Sequence, residues 1–125
     1  MLVRLAVLAI AGALGAVSRY GLHSIVIKFT GQSSWWGTMT VNTIGCLLAG
    51  LLWGWWEHSG LNMDHMRLPV FVGFLGAFTT FSTLILETGD IARTATWMHA
   101  GGWLLLQNVV GFAAMAGGAA LTQHA

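Results

Sequence analysis

Four apolar stretches separated by short polar segments dominate the sequence. The first runs from about Leu2 to Ile27, the second from Gly37 to Trp56, the third from Leu68 to Ile91 and the fourth from about Gly101 to Leu121. Each reaches the ~20 residues that an α-helix needs to cross the hydrocarbon core of a bilayer. Lys28–Ser34, Glu57–Arg67 and Arg93–His99 are the connecting loops, and Thr122–Ala125 is a tail too short to be a domain. Trp36 and Trp56 stand twenty residues apart at the two ends of the second span, which is about 30 Å of helix and matches an aromatic belt at each interface. The start, MLVRLAVLAIAGALGAV, has the form of a secretory signal, but everything after it is also membrane-like, so it is read as a span. The pattern predicts one four-helix transmembrane domain over residues 1–125.

The third stretch departs from uniform greasiness at its centre, GFLGAFTTFST (Gly73–Thr83). Gly73 and Gly76 weaken a helix, and the hydroxyls of Thr79, Thr80, Ser82 and Thr83 compete for its backbone groups. Two readings fit. One is a mild bend that packs through small residues. The other is a break, and irregular backbone at membrane depth is tolerated only where protein or a water-filled cavity covers it, which makes a break a candidate ion site. In the second stretch Thr38, Asn42, Gly45 and Ala49 recur at helical spacing and form a small, polar face. Asn42 there either bonds between helices or offers its NH₂ to an anion in a pore. Phe74, Phe78 and Phe81 share a helical face; such a stripe is packing, or a row of positive ring edges able to hold a small anion.

Composition narrows the class. Hydrophobic residues make up 56% of the chain and charged residues 7%, against about 25% charged in soluble domains. This is an integral membrane protein. A net charge of +1 gives no case for nucleic acid as a partner. Cys46 is the single cysteine and reads as a packing residue. Two histidines in a loop, His58 and His65, make no metal site. Gly12 with Ala16 and Gly50 with Gly54 are small-xxx-small pairs that let helices approach closely. Pro69, the only proline, is placed in the first turn of the third span, where no backbone donor is needed.

Arg19 lies near the inner end of the first span. It either snorkels to the interface beside Tyr20 or sets a fixed positive charge at a vestibule that draws in anions. Glu87 and Asp90 follow the hydroxyl cluster and read as solvated. Arg4 and Arg67 fall on one side of the membrane, Lys28 and Arg93 on the other, with Arg19 leaning towards the latter. Cytoplasmic loops normally carry the excess of Lys and Arg. So balanced a count predicts a chain that inserts in both orientations and assembles as an antiparallel dimer, with any pore at the interface.

Several of these segments together resemble one family. AGALGAVSRY (Ala11–Tyr20), GTMTVNTIG (Gly37–Gly45) and GFLGAFTTFST (Gly73–Thr83) are similar to the first-, second- and third-helix motifs of the Fluc/CrcB fluoride channels, and NVVG (Asn108–Gly111) is a looser match in the fourth. The resemblance implies an all-α, dual-topology antiparallel homodimer in the plasma membrane, the inner membrane of a bacterial cell, whose third helix is broken. It implies passive leakage of cytoplasmic fluoride through two pores and a structural sodium ion at the dimer centre. Carried over residue by residue, the sodium ligands are the carbonyls of Gly76 and Thr79, Asn42 is the pore asparagine, Phe81 the first pore ring and Arg19 the vestibule arginine. Thr38, Phe78, Ser82, Thr83 and Asn108 complete the expected fluoride path. The chain departs from the pattern at Leu84, where a second pore phenylalanine is expected, and at Ala77, where glycine is common. Asn108 stands where the fourth helix carries hydroxyls.

A competing reading is a small dual-topology exporter of the multidrug type. It needs a membrane-embedded carboxylate for proton exchange, and the first, second and fourth spans hold no acidic residue away from their ends. A purely structural membrane subunit leaves the hydroxyl cluster unexplained. No nucleophile–base pairing points to an enzyme.

Overall fold

A computed structural model describes residues 1–31, 33–60 and 64–122 of the chain. The centre of the loop Glu57–Arg67 and most of the tail lie outside the described residues, as does Gln32. All described elements are helical: α1 (Leu2–Thr30), α2 (Ser34–Ser59), α3 (Asp64–Arg67), a π-helical segment Leu68–Leu75, α4 (Gly76–Phe78), α5 (Phe81–Thr94) and α6 (Trp97–Thr122). Among the described residues four stretches are long and apolar enough to span a membrane: Leu2–Thr30, Ser34–Ser59, His65–Thr94 and Trp97–Thr122.

The helices outrun the apolar stretches because backbone bonding continues into the polar flanks. α1 stops where Gly31 turns left-handed (φ 64°) and returns its N–H to the Ile27 carbonyl at 3.0 Å, and Gly60 (φ 64°) ends α2 in the same conformation. Glycine takes that conformation without steric cost. The third span starts earlier than its apolar residues do, at α3, so Pro69 sits inside it and not in its first turn. Proline removes a helical donor and crowds the preceding turn, and the wider π-helical winding of Leu68–Leu75 accommodates both effects.

Halfway along the third span the winding changes. Thr79 (φ −82°, ψ 162°) and Thr80 (φ −147°, ψ 114°) are extended between α4 and α5. Thr80 then caps α5: its Oγ1 accepts the Thr83 N–H at 3.3 Å. The hydroxyl thus satisfies one of the orphan donors of a new helix N-terminus.

Small residues bring the helices together. A Cβ on Gly118 would lie 2.5 Å from the Leu47 carbonyl and one on Gly54 2.6 Å from that of Ala119, while Gly50 faces the Met115 carbonyl. The Gly50/Gly54 pair therefore seats α2 on α6. α1 meets the third span through Gly15 against the Phe74 carbonyl and Gly73 against Ala11, where an added Cβ would lie 2.8 Å from the alanine methyl. Gly15 makes this approach in preference to Gly12 of the expected Gly12/Ala16 pair, whose nearest neighbour across the interface is 3.9 Å away. The enclosed core is small: among the described residues the buried hydrophobic ones are Val41, Leu75, Phe78, Leu84, Ile91 and Ala100. Large side chains such as Leu14, Phe81, Leu105 and Phe112 point outward.

Candidate functional site

The extended pair Thr79–Thr80 redirects backbone groups that a continuous helix would pair internally. In such a helix the Thr80 N–H would bond the Gly76 carbonyl. Here it donates instead to Asn42 Oδ1 at 2.8 Å, and Asn42 Nδ2 donates to the Thr80 carbonyl at 3.0 Å. One side chain from α2 holds both polar groups of one residue. Thr79 keeps its own N–H on the Leu75 carbonyl at 3.0 Å and its hydroxyl on the same oxygen at 2.9 Å. The Thr79 carbonyl faces α1, where Arg19 Nη1 donates to it at 3.4 Å. Gly45 keeps α2 close: a Cβ there would collide with the Thr79 methyl.

Beside this junction lies a cavity of about 430 Å³ whose lining includes Asn42, Cys46, Thr79, Thr80, Phe81, Leu84, Gln107 and Asn108. Of the residues expected to form a fluoride path, Asn42, Phe81 and Asn108 meet here. Thr83 is one step away, its hydroxyl accepting from that of Thr80 at 2.9 Å. Asn108 is exposed and donates to its own helix, Nδ2 to the Leu104 carbonyl at 2.7 Å. Ser82 is exposed on the outer face, and Gly76 is likewise exposed. Phe78 is buried, stacked on Phe74 with ring centroids 5.7 Å apart, and packs in the core. Arg19, expected near the end of its span, reaches the junction midway along the third.

Two residues stand out: Gln107, which has no role in the sequence pattern, and Glu87, which the pattern places in solvent. Gln107 is buried on α6, and neither its Nε2 nor its Oε1 has a hydrogen-bond partner among the described residues. It lines the cavity beside Asn42. The signal was its spacing: Ala100, Gln107, Gly111 and Gly118 form the inner stripe of α6, whereas Asn108 lies one step round the helix. The other is Glu87, which is 6% exposed and not solvated. Its Oε1 accepts from Ser34 at 2.6 Å and Thr38 at 2.9 Å, and its Oε2 is buried without a partner. Thr38 therefore joins this second polar cluster and does not face Asn42's cavity. Thr80, Leu84, Glu87 and Ile91 follow helical spacing, which turns Glu87 inward and leaves Asp90 exposed.

The cavity has a definite chemical character. Asn42 retains one amide proton after bonding Thr80, Gln107 offers two, and Phe81 adds a ring. No full charge lines it. Neutral donors beside an aromatic ring suit an anion that sheds water.

Four membrane-length helices around a polar junction define a multi-pass membrane protein of all-α architecture. The family model described as CrcB-like protein, Camphor Resistance (CrcB), matches residues 6–119, and the chain belongs to that family. It is 45% identical over 114 residues to the fluoride-specific ion channel FluC of Desulforapulum autotrophicum, covering 91% of both chains. It is 43% identical over 108 residues to the protein of that name from Nitrosococcus oceani, covering 86% of both. With the one from Solidesulfovibrio magneticus it shares 40% identity over 121 residues and 97% of both.

Proposed function

We propose that this protein is a fluoride-selective channel that lets cytoplasmic fluoride leave passively and so lowers its toxicity. The observation that carries the reading is the uncharged, donor-lined cavity at the Asn42–Thr80 junction. The names of the relatives supply the ion. Fluoride is small and strongly hydrated, so its path must replace water with closely set donors. In this reading the second Asn42 amide proton, the Gln107 carboxamide and the Phe81 ring take the place of that water. The chain acts as a channel and not as an enzyme.

The working unit in this reading is an antiparallel, dual-topology homodimer in the bacterial inner membrane, with its third helices broken at Thr79–Thr80. The junction also fits a structural sodium ion. Diversion of the Thr80 N–H to Asn42 takes the helical donor away from the Gly76 carbonyl, and the Thr79 carbonyl has only a long 3.4 Å contact from Arg19. Both oxygens are of the type hard cations favour, and two from each chain give about four ligands. Bound there, the ion supplies a positive charge that helps retain nearby anions. Replacing sodium with a bulky organic cation should lower fluoride flux or dimer stability, whereas chelators of divalent metals should leave both unchanged.

Glu87 is the one observation that favours a coupled exporter, since it supplies a buried carboxylate within a span. Efflux from liposomes followed with fluoride and chloride electrodes tests the channel reading. Fluoride should run down its gradient while chloride stays inside. Equal loss of both ions, or loss of neither, would overturn it.

A further inference from the structure

A second cavity lies towards the other end of α2, well apart from the Asn42 junction. It measures about 400 Å³ and is lined by Trp53, Trp56, Glu57, Arg67, Phe71 and Val72. That volume falls in the range of small-molecule sites, about 300–1,000 Å³. Its floor is aromatic: the rings of Trp56 and Phe71 sit 6.1 Å apart at 44°. Its rim carries one carboxylate and one guanidinium, both exposed. Among the described residues no ion pair joins Glu57 to Arg67, so opposite charges face one cavity without satisfying each other. Both residues lie at span ends, Glu57 in the last turn of α2 and Arg67 at the start of the third span. The ends of membrane-length spans fall at headgroup level, and Trp53, half exposed, and Val72, 59% exposed, are the outward apolar residues of the same cavity.

We propose that this cavity binds the headgroup of a zwitterionic phospholipid. The ammonium sits over the Trp56 and Phe71 rings against the Glu57 carboxylate, where ring faces and anion both attract a cation. The phosphate diester meets the Arg67 guanidinium, whose planar fork matches phosphate oxygens. The acyl chains run down past Trp53 and Val72. An anionic headgroup satisfies Arg67 but is repelled by Glu57, so the carboxylate discriminates between lipid classes. The assignment is independent of the ion the protein conducts.

Native mass spectrometry of the full-length protein in detergent tests it, with phosphatidylethanolamine and phosphatidylglycerol of identical acyl chains as probes. Retained phosphatidylethanolamine should exceed phosphatidylglycerol by about three- to fivefold, the scale of one exposed charge pair. Glu57→Gln should bring the two lipids to parity, and Arg67→Gln should reduce both; each alters an exposed rim residue and leaves the packed core untouched. Equal retention by the unmodified protein, or an unchanged preference in Glu57→Gln, would overturn the site. Soluble phosphoethanolamine should compete poorly; retention as tight as that of the lipid would identify a free zwitterion as the occupant and sink the lipid assignment.

Discussion

Asn42 binds the Thr80 backbone at both its N–H and its carbonyl, so the side chain that faces the cavity also fixes its wall. Asn42→Asp keeps the acceptor, loses the donor to the carbonyl and adds a negative charge. A unit charge about 4 Å from a permeating anion is worth about 4 kcal/mol at an effective dielectric of 20. Fluoride flux through Asn42→Asp should therefore fall by at least about 100-fold, while size-exclusion chromatography shows the dimer intact. A dimer conducting at full rate would leave Asn42 as packing alone. Gln107 separates function from stability. Its unpartnered carboxamide costs about 1–3 kcal/mol in the folded protein. Gln107→Leu should raise the thermal unfolding midpoint yet cut fluoride flux by about tenfold, the loss of one hydrogen bond to the ion. A stabilised variant with undiminished flux would remove Gln107 from the path. Asn42 was legible in the sequence because it is the lone carboxamide on a small, polar face. Gln107 was passed over because its neighbour Asn108 carried the motif, and only the stripe through Ala100, Gly111 and Gly118 shows which of the two faces inward.

The third span is where local chemistry and membrane constraints meet. Thr80 stops one helix and caps the next, and Gly45 of α2 leaves room for the turn. A methyl at residue 45 collides with Thr79, whose position is already fixed by its bonds to Leu75. Gly45→Ala should destabilise the protein by about 1–3 kcal/mol, the usual cost of overpacking, and impair flux. Gly89, also in a helix, meets nothing within 4 Å of an added Cβ. Gly89→Ala should be neutral or stabilise by up to about 1 kcal/mol through helix propensity. Thermal unfolding of the two variants side by side checks the contrast; equal midpoints would contradict the tight junction at Thr79. The number, order and approximate extent of the spans followed from hydrophobic length and the Trp belts. The π-helical stretch did not, because the composition of Leu68–Leu75 does not distinguish one helical winding from another. The inward turn of Glu87 was hidden by a habit of placing carboxylates in water; its partners Ser34 and Thr38 lie about fifty residues away in sequence.

For the molecule as a whole, one chain encloses little interior and leaves Phe81, Leu105 and Phe112 outward; in the proposed dimer a second copy would complete the site. The near balance of Arg4 and Arg67 against Lys28 and Arg93 gives weak instruction on orientation. Two lysines added between Ser59 and Met66 should bias insertion and reduce the amount of active dimer; C-terminal reporters showing one orientation in the unmodified protein would contradict dual topology. Charge balance was legible from sequence, because it needs only the order of the spans and the charges between them. Passive fluoride conduction and proton-coupled export, for which Glu87 supplies a buried carboxylate, differ in what drives the ion. The direct measurement is fluoride movement in proteoliposomes whose voltage is set by a potassium ionophore, with and without an imposed pH gradient. Fluoride should run only down its own electrochemical gradient and stop at the voltage that balances it, whatever the pH gradient. Fluoride driven uphill by the pH gradient, or flux that requires one, would contradict passive conduction.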